Sequence, residues 1–114
     1  MSASQDPNDD VIDVRPLGPA LAGASSSTLA RTLTLEVHRL VVAKGHEIPT
    51  HQAPGEITVH CLEGQITFTA CGRTRELKAG QMLVLAAGEP HSLVGLEDSS
   101  VLVTKVLPGS PAGF

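Results

Sequence analysis

Tryptophan and tyrosine are absent from this chain, and Phe68 and Phe114 are its only aromatic residues. Core volume must therefore come from Val, Leu and Ile. The shortage also removes the ring platforms on which proteins stack unpaired bases. Basic residues are few: 8 Lys and Arg stand against 12 Asp and Glu, for a formal net charge of −4. Phosphate binding depends on clustered cations, so nucleic acid is excluded as a partner. No apolar run reaches the length a helix needs to cross a bilayer, which excludes a membrane partner of that kind. The first residues carry neither a basic stretch nor a following apolar stretch of signal-peptide length. The expected setting is cytoplasmic, where the two cysteines, Cys61 and Cys71, stay as reduced thiols.

What remains is a chain of 114 residues, 41% of them hydrophobic. That length predicts one domain, spanning residues 11–108, between a disordered polar tail at 1–10 and a short tail at 109–114. Residues 11–17 read as a short strand and 19–27, rich in Ala, Gly and Ser, as a loop. The β-branched stretch 29–42 reads as one long strand. Short strands follow at 56–62, 65–70 and 73–77, with Cys71-Gly72 as the hairpin turn between the last two. Residues 81–87 are nearly all apolar and predict a strand buried on both faces. Strands at 91–96 and 99–107 complete the pattern. No segment carries sustained helical periodicity, so the fold class is all-β, a sandwich or small barrel.

Two stretches share a spacing of glycine and histidine. In the first, Gly45 precedes His51 by six residues, and Gly64 closes it. In the second, Gly80 leads through Ala86 and Gly88 to His91. These resemble the two cupin motifs, G-x5-H-x-H-x3,4-E-x6-G and G-x5-P-x-G-x2-H-x3-N. The run from His51 to Thr58 also resembles a group of small bacterial cupins with an H-x-A-P-x-E-I-T signature, mostly of undefined function. The resemblance spans residues 40–107 and implies a double-stranded β-helix, the jelly-roll cupin barrel, as in the RmlC-like proteins.

In that family the first motif supplies two histidines and a glutamate to a metal and the second supplies one histidine. His51 matches the first histidine and His91 the last. Ala53 stands at the second histidine's place and Ile57 at the glutamate's. Two neutral imidazoles are too few to hold a first-row divalent ion tightly, so no cofactor is the first expectation. The alternative is a divalent transition metal (Zn, Fe, Ni or Mn) on His51, His91 and Glu56. It requires a bulge at Pro54-Gly55 to turn Glu56 inward. Simple alternation instead puts Ile57, Val59 and Cys61 inside and Glu56, Thr58 and His60 outside. His51 and His91 should then be polar groups in an apolar cavity walled by Ala53, Ile57 and Phe68, with burial depressing the histidine pKa values. One imidazole would accept a hydrogen bond and the other donate one. His46 is expected in solvent and His38 on the surface or at a subunit contact. Arg73 is expected to lower the Cys71 pKa slightly.

The function so implied is binding of a small molecule, with catalysis left open. The alternative is a metal-dependent enzyme of dioxygenase or isomerase type. A metal-free epimerase-like reaction needs a tyrosine acid, which the chain lacks. A cupin-containing regulator needs a helix-turn-helix, for which no length is left. Small cupins pair through sheet packing or N-terminal strands, so a homodimer is expected.

Overall fold

Alternation of apolar and polar side chains builds nearly the whole fold. The computed structural model of the protein describes residues 11–108, so both expected tails lie outside the described residues. Nine strands follow a short 3-10 helix, Gly18–Gly23: β1 Ser27–Arg31, β2 Leu35–Val42, β3 Glu47–His51, β4 Ile57–Glu63, β5 Gln65–Ala70, β6 Arg73–Lys78, β7 Met82–Leu85, β8 His91–Gly95 and β9 Ser99–Val106. They form two antiparallel sheets, ordered β1-β2-β9-β4-β7 and β3-β8-β5-β6. This is the all-β, two-sheet jelly-roll barrel that the resemblance implied.

The core lies between the sheets. Val42, Val59, Cys61, Ile66, Phe68 and Val101 are all buried to 1% exposure or less. Each such side chain contributes roughly 1.5–3 kcal/mol by leaving water. β4 follows the expected parity: Ile57, Val59 and Cys61 are buried, Thr58 and His60 are half-buried on the other face, and Glu56 is exposed. The motif glycines Gly45, Gly64, Gly80 and Gly88 all have positive φ. Gly64 is also held by space, since a Cβ there would collide with the Asp98 carbonyl and with Ser99. Cys71 (φ 56°) and Gly72 (φ 71°) make the tight turn between β5 and β6, the left-handed pair that a two-residue hairpin uses.

Several expected elements differ. The stretch 29–42 is a hairpin, β1 and β2, rather than one strand. The Thr32 hydroxyl accepts from the N–H groups of Thr34 and Leu35 at 3.2 and 3.0 Å, which turns the chain back on itself. Residues 11–17 are not a strand, and the stretch expected as a loop at 19–27 holds most of the 3-10 helix and the first residue of β1. Expected burial of 81–87 on both faces is corrected too. β7 is an edge strand of four residues with Met82 53% and Val84 64% exposed, because no element among the described residues covers its outer face. β3, which contains Pro49, is not among the expected strands. It too is an edge strand, where a missing N–H costs little.

A polar clasp holds the lead-in. Glu63 accepts from the backbone N–H groups of Leu17 (2.8 Å) and Gly18 (3.0 Å) and from the Ser100 hydroxyl. Burial pushes the Glu63 carboxyl up, but these hydrogen bonds outweigh it and leave the pKa lowered. Buried Arg39 reaches the Asp13 carbonyl at 3.4 Å. Glu63→Ala should therefore cost about 1–3 kcal/mol, the range for stranding such donors. Urea unfolding measures the loss, and limited proteolysis should show earlier cutting within residues 11–24.

Candidate functional site

A cavity of about 220 Å3 opens between the sheets. Leu40 on β2, Val59 on β4 and Val103 on β9 line it from the larger sheet, and Ile48 on β3, Phe68 on β5 and Leu93 on β8 from the smaller. Ala53 and Ile57, at the positions where the resemblance calls for metal ligands, are part of this apolar wall. So are His51 and His91. All five residues expected to bind a ligand (His51, His91, Ala53, Ile57 and Phe68) are thus brought together.

His51 and His91 come from adjacent strands of one sheet, not from strands facing across the barrel. They are register partners in the β3–β8 pair. Their ring centroids lie 4.2 Å apart with planes inclined by 61°. Phe68 stacks on His91 from below, 5.6 Å away and nearly parallel. His91 is buried, whereas His51 is exposed at the mouth, a difference from the expected pair of interior groups.

The same local device orients both rings. His51 Nδ1 lies 2.9 Å from the Pro49 carbonyl oxygen, and His91 Nδ1 lies 2.9 Å from that of Glu89. A carbonyl oxygen only accepts, so each Nδ1 donates. In the neutral rings both Nε2 atoms then carry lone pairs. This corrects the expected division of labour: neither ring is left to donate, and the pair presents acceptors.

Burial pushes the His91 pKa below its ordinary value, and the nearby charges of His51 and Lys105 add to this against the opposing Glu89 carbonyl. The unfolded chain therefore takes up this proton at higher pH than the folded chain. The stabilisation is complete above the ordinary histidine value of about 6.5 and is lost as pH falls through the lowered folded value. Urea midpoints should drop between neutral and mildly acidic pH, and His91→Gln should flatten that slope.

Two cavity residues escaped the sequence reading. His38, expected on the surface, lines the cavity, as does Lys105. The missing signal was register: breaking 29–42 into a hairpin fixes which face of β2 turns inward. His38 Nδ1 meets the Thr28 hydroxyl at 3.1 Å. Its Nε2 lies 2.9 Å from Glu36 Oε1, yet without the alignment of a hydrogen bond. Among the other residues weighed, His46 is exposed, and Cys61 is buried with a thiol pKa raised by desolvation. The Cys71 thiol pKa is raised, not lowered, because the Glu89 carboxylate beside it outweighs Arg75 and Arg73.

The donor set does not fit a tightly held transition metal. Glu56 is exposed and does not line the cavity. Among the described residues, no three His, Cys, Asp or Glu side chains converge in a metal-binding group. His51 and His91 beside Ala53 and Ile57 fall short of the three or more ligands such ions take, and His38, the third imidazole on the cavity, forms no metal-binding group with them.

The cupin domain family matches residues 38–106. No curated protein matches the sequence. Among solved structures, a conserved protein of unknown function from Streptococcus pyogenes is 33% identical over 75% of this chain and 75% of its own, with a TM-score of 0.70. A cupin superfamily protein from Desulfitobacterium hafniense is 16% identical, over 85% of this chain and 98% of its own, with a TM-score of 0.71. The DMSP lyase DddQ from Ruegeria pomeroyi is 22% identical over 77% of this chain and 49% of its own, with a TM-score of 0.68. The last two likenesses are of fold alone. No helix among the described residues is long and apolar enough to cross a membrane.

Proposed function

This chain belongs to the cupin family, and from that premise we propose that it binds a small, largely apolar molecule in the barrel cavity without a tightly held metal. The observation that carries this reading is the pairing of an apolar wall with two Nε2 acceptors. Ala53 and Ile57 replace donors by hydrocarbon, while the Pro49 and Glu89 carbonyls fix both imidazoles with a lone pair free. An enclosed apolar site with a few convergent polar groups is the usual form of a small-molecule site. By scaling from benzene in an apolar cavity of about 150 Å3, the space suits roughly nine non-hydrogen atoms. The ligand offers a hydroxyl or N–H to the histidine pair.

Phenol is a fitting probe. NMR titration of chelator-treated protein should move resonances of Phe68, Leu93 and Val59, and Ala53→Phe should abolish those shifts by filling the space. Shifts scattered over the surface, or unchanged in Ala53→Phe, would refute the reading. The proposed setting is cytoplasmic and the proposed assembly a homodimer. The exposed apolar side chains of Met82 and Val84 on edge strand β7 support pairing between copies. Strand exchange through residues 11–17 is disfavoured, since Leu17 and Gly18 are bonded to Glu63 of the same chain. Light scattering at micromolar concentration should return twice the chain mass.

A further inference from the structure

Lys105 is a charged residue on the cavity that the apolar site leaves unexplained. It stands opposite Ile57 on β4 and Glu36 on β2 in the strand register, so its side chain shares their inward face. It lines the cavity with Val103 of the same strand. The carboxylate on that face is already engaged. Glu36 Oε2 lies 3.1 Å from Arg31 Nη1, and Oε1 lies 2.9 Å from His38 Nε2. Among the described residues, no acidic side chain stands within ion-pair distance of Lys105. Arg31 and Lys105 against Glu36 leave one positive charge in excess at this end of the barrel. Lys105 is half-buried, and the Glu36 carboxylate that feels its charge is shared with Arg31. Across the cavity, the other sheet presents the two Nε2 acceptors of His51 and His91.

We infer that the ligand is a small hydroxy acid, its carboxylate meeting the Lys105 ammonium and its hydroxyl donating to the His51–His91 pair across an apolar body. This rests on the small-molecule reading above and narrows it to a substrate class. Simpler ligands each leave a group without its partner. A plain carboxylic acid satisfies Lys105 but strands the histidine lone pairs. A plain alcohol or phenol does the reverse. A cationic ligand meets repulsion from Lys105. A planar ring between the two groups suits walls made by Phe68, Leu93 and Val103.

Calorimetric titration at neutral pH with para-hydroxybenzoate, its primary amide, benzoate and phenol tests the assignment. The hydroxy acid should bind about tenfold or more tighter than the amide, the worth of one charge-assisted hydrogen bond, and about fivefold tighter than benzoate, the worth of one neutral hydrogen bond. Lys105→Gln should erase the preference over the amide, and Lys105→Arg should keep it. If Lys105→Gln does not fold, the native protein and Lys105→Arg still decide. Equal binding of acid and amide, or a preference that survives Lys105→Gln, overturns the hydroxy-acid assignment while phenol binding still supports the cavity reading. Failure of all the probes, phenol included, overturns both.

Discussion

Phe68→Ala is expected to lower the unfolding free energy by about 3–5 kcal/mol, the usual cost of deleting a buried ring. Phe68 has no exposed surface and is one of two Phe, Tyr or Trp residues in the chain, so no second large apolar ring borders the gap. Its neighbours Ile66 and Leu93 are held in strand registers that restrict collapse. The ring also supports His91 from its stacked face. Loss of Phe68 should therefore weaken phenol binding as well as stability. Urea unfolding gives the first effect and calorimetry the second. A Phe68→Leu variant, which keeps most of the volume, should recover more of the stability than of the binding.

The second large effect comes from supplying the donors that the resemblance calls for. Ala53→His combined with Ile57→Glu places donors at the two positions where the family carries them, beside the existing His51 and His91. All four positions already line one cavity, so no backbone rearrangement is needed to bring them together. The double variant should bind zinc or nickel tightly, whereas the native chain should not. At a metal concentration of a hundred times its Kd, binding stabilises a protein by about 2.7 kcal/mol. Thermal unfolding with and without metal reads this directly. Without metal the double variant should be less stable than the native chain, since Ile57 is 3% exposed and a carboxylate there loses its water. Absence of any metal-dependent shift would show that the cavity walls do not converge as the native geometry has them.

The parts of this fold written in local pattern were legible in the sequence. Alternation at Ile57, Val59 and Cys61 and at Ile66, Phe68 and Ala70 gave the inward faces of β4 and β5, and both agree with the observed burial. Cys71-Gly72 gave the β5–β6 turn. The resemblance of the stretches around His51 and His91 to the cupin motifs implied that two imidazoles share one site. What escaped depends on position within a sheet, which local pattern does not carry. The apolar run of β7 looks the same in a central strand as in the edge strand it forms, with Val84 facing outward. β3 carries Pro49, and the edge location that tolerates it is not visible in local pattern. Thr32 turns the chain through its hydroxyl, and a β-branched residue inside a β-branched run gave no sign of a turn. The misreading of 29–42 as a single strand then hid the inward face of β2. With it went His38 and the significance of Lys105, whose role depends on pairing with Ile57 and Glu36.

The protonation of the two histidines follows from backbone geometry, and it decides what the site recognises. Because the Pro49 and Glu89 carbonyls each occupy an Nδ1, the histidine pair presents acceptors, which on the proposed reading meet the hydroxyl or N–H of the ligand. Correlation spectra of chelator-treated protein carrying 15N-labelled histidine measure this most directly. The account predicts hydrogen on Nδ1 and a bare Nε2 in both His51 and His91, with the Nε2 resonances moving when phenol is added. Rings protonated at Nε2, or Nε2 resonances that ignore phenol and shift on adding stoichiometric zinc, would contradict it.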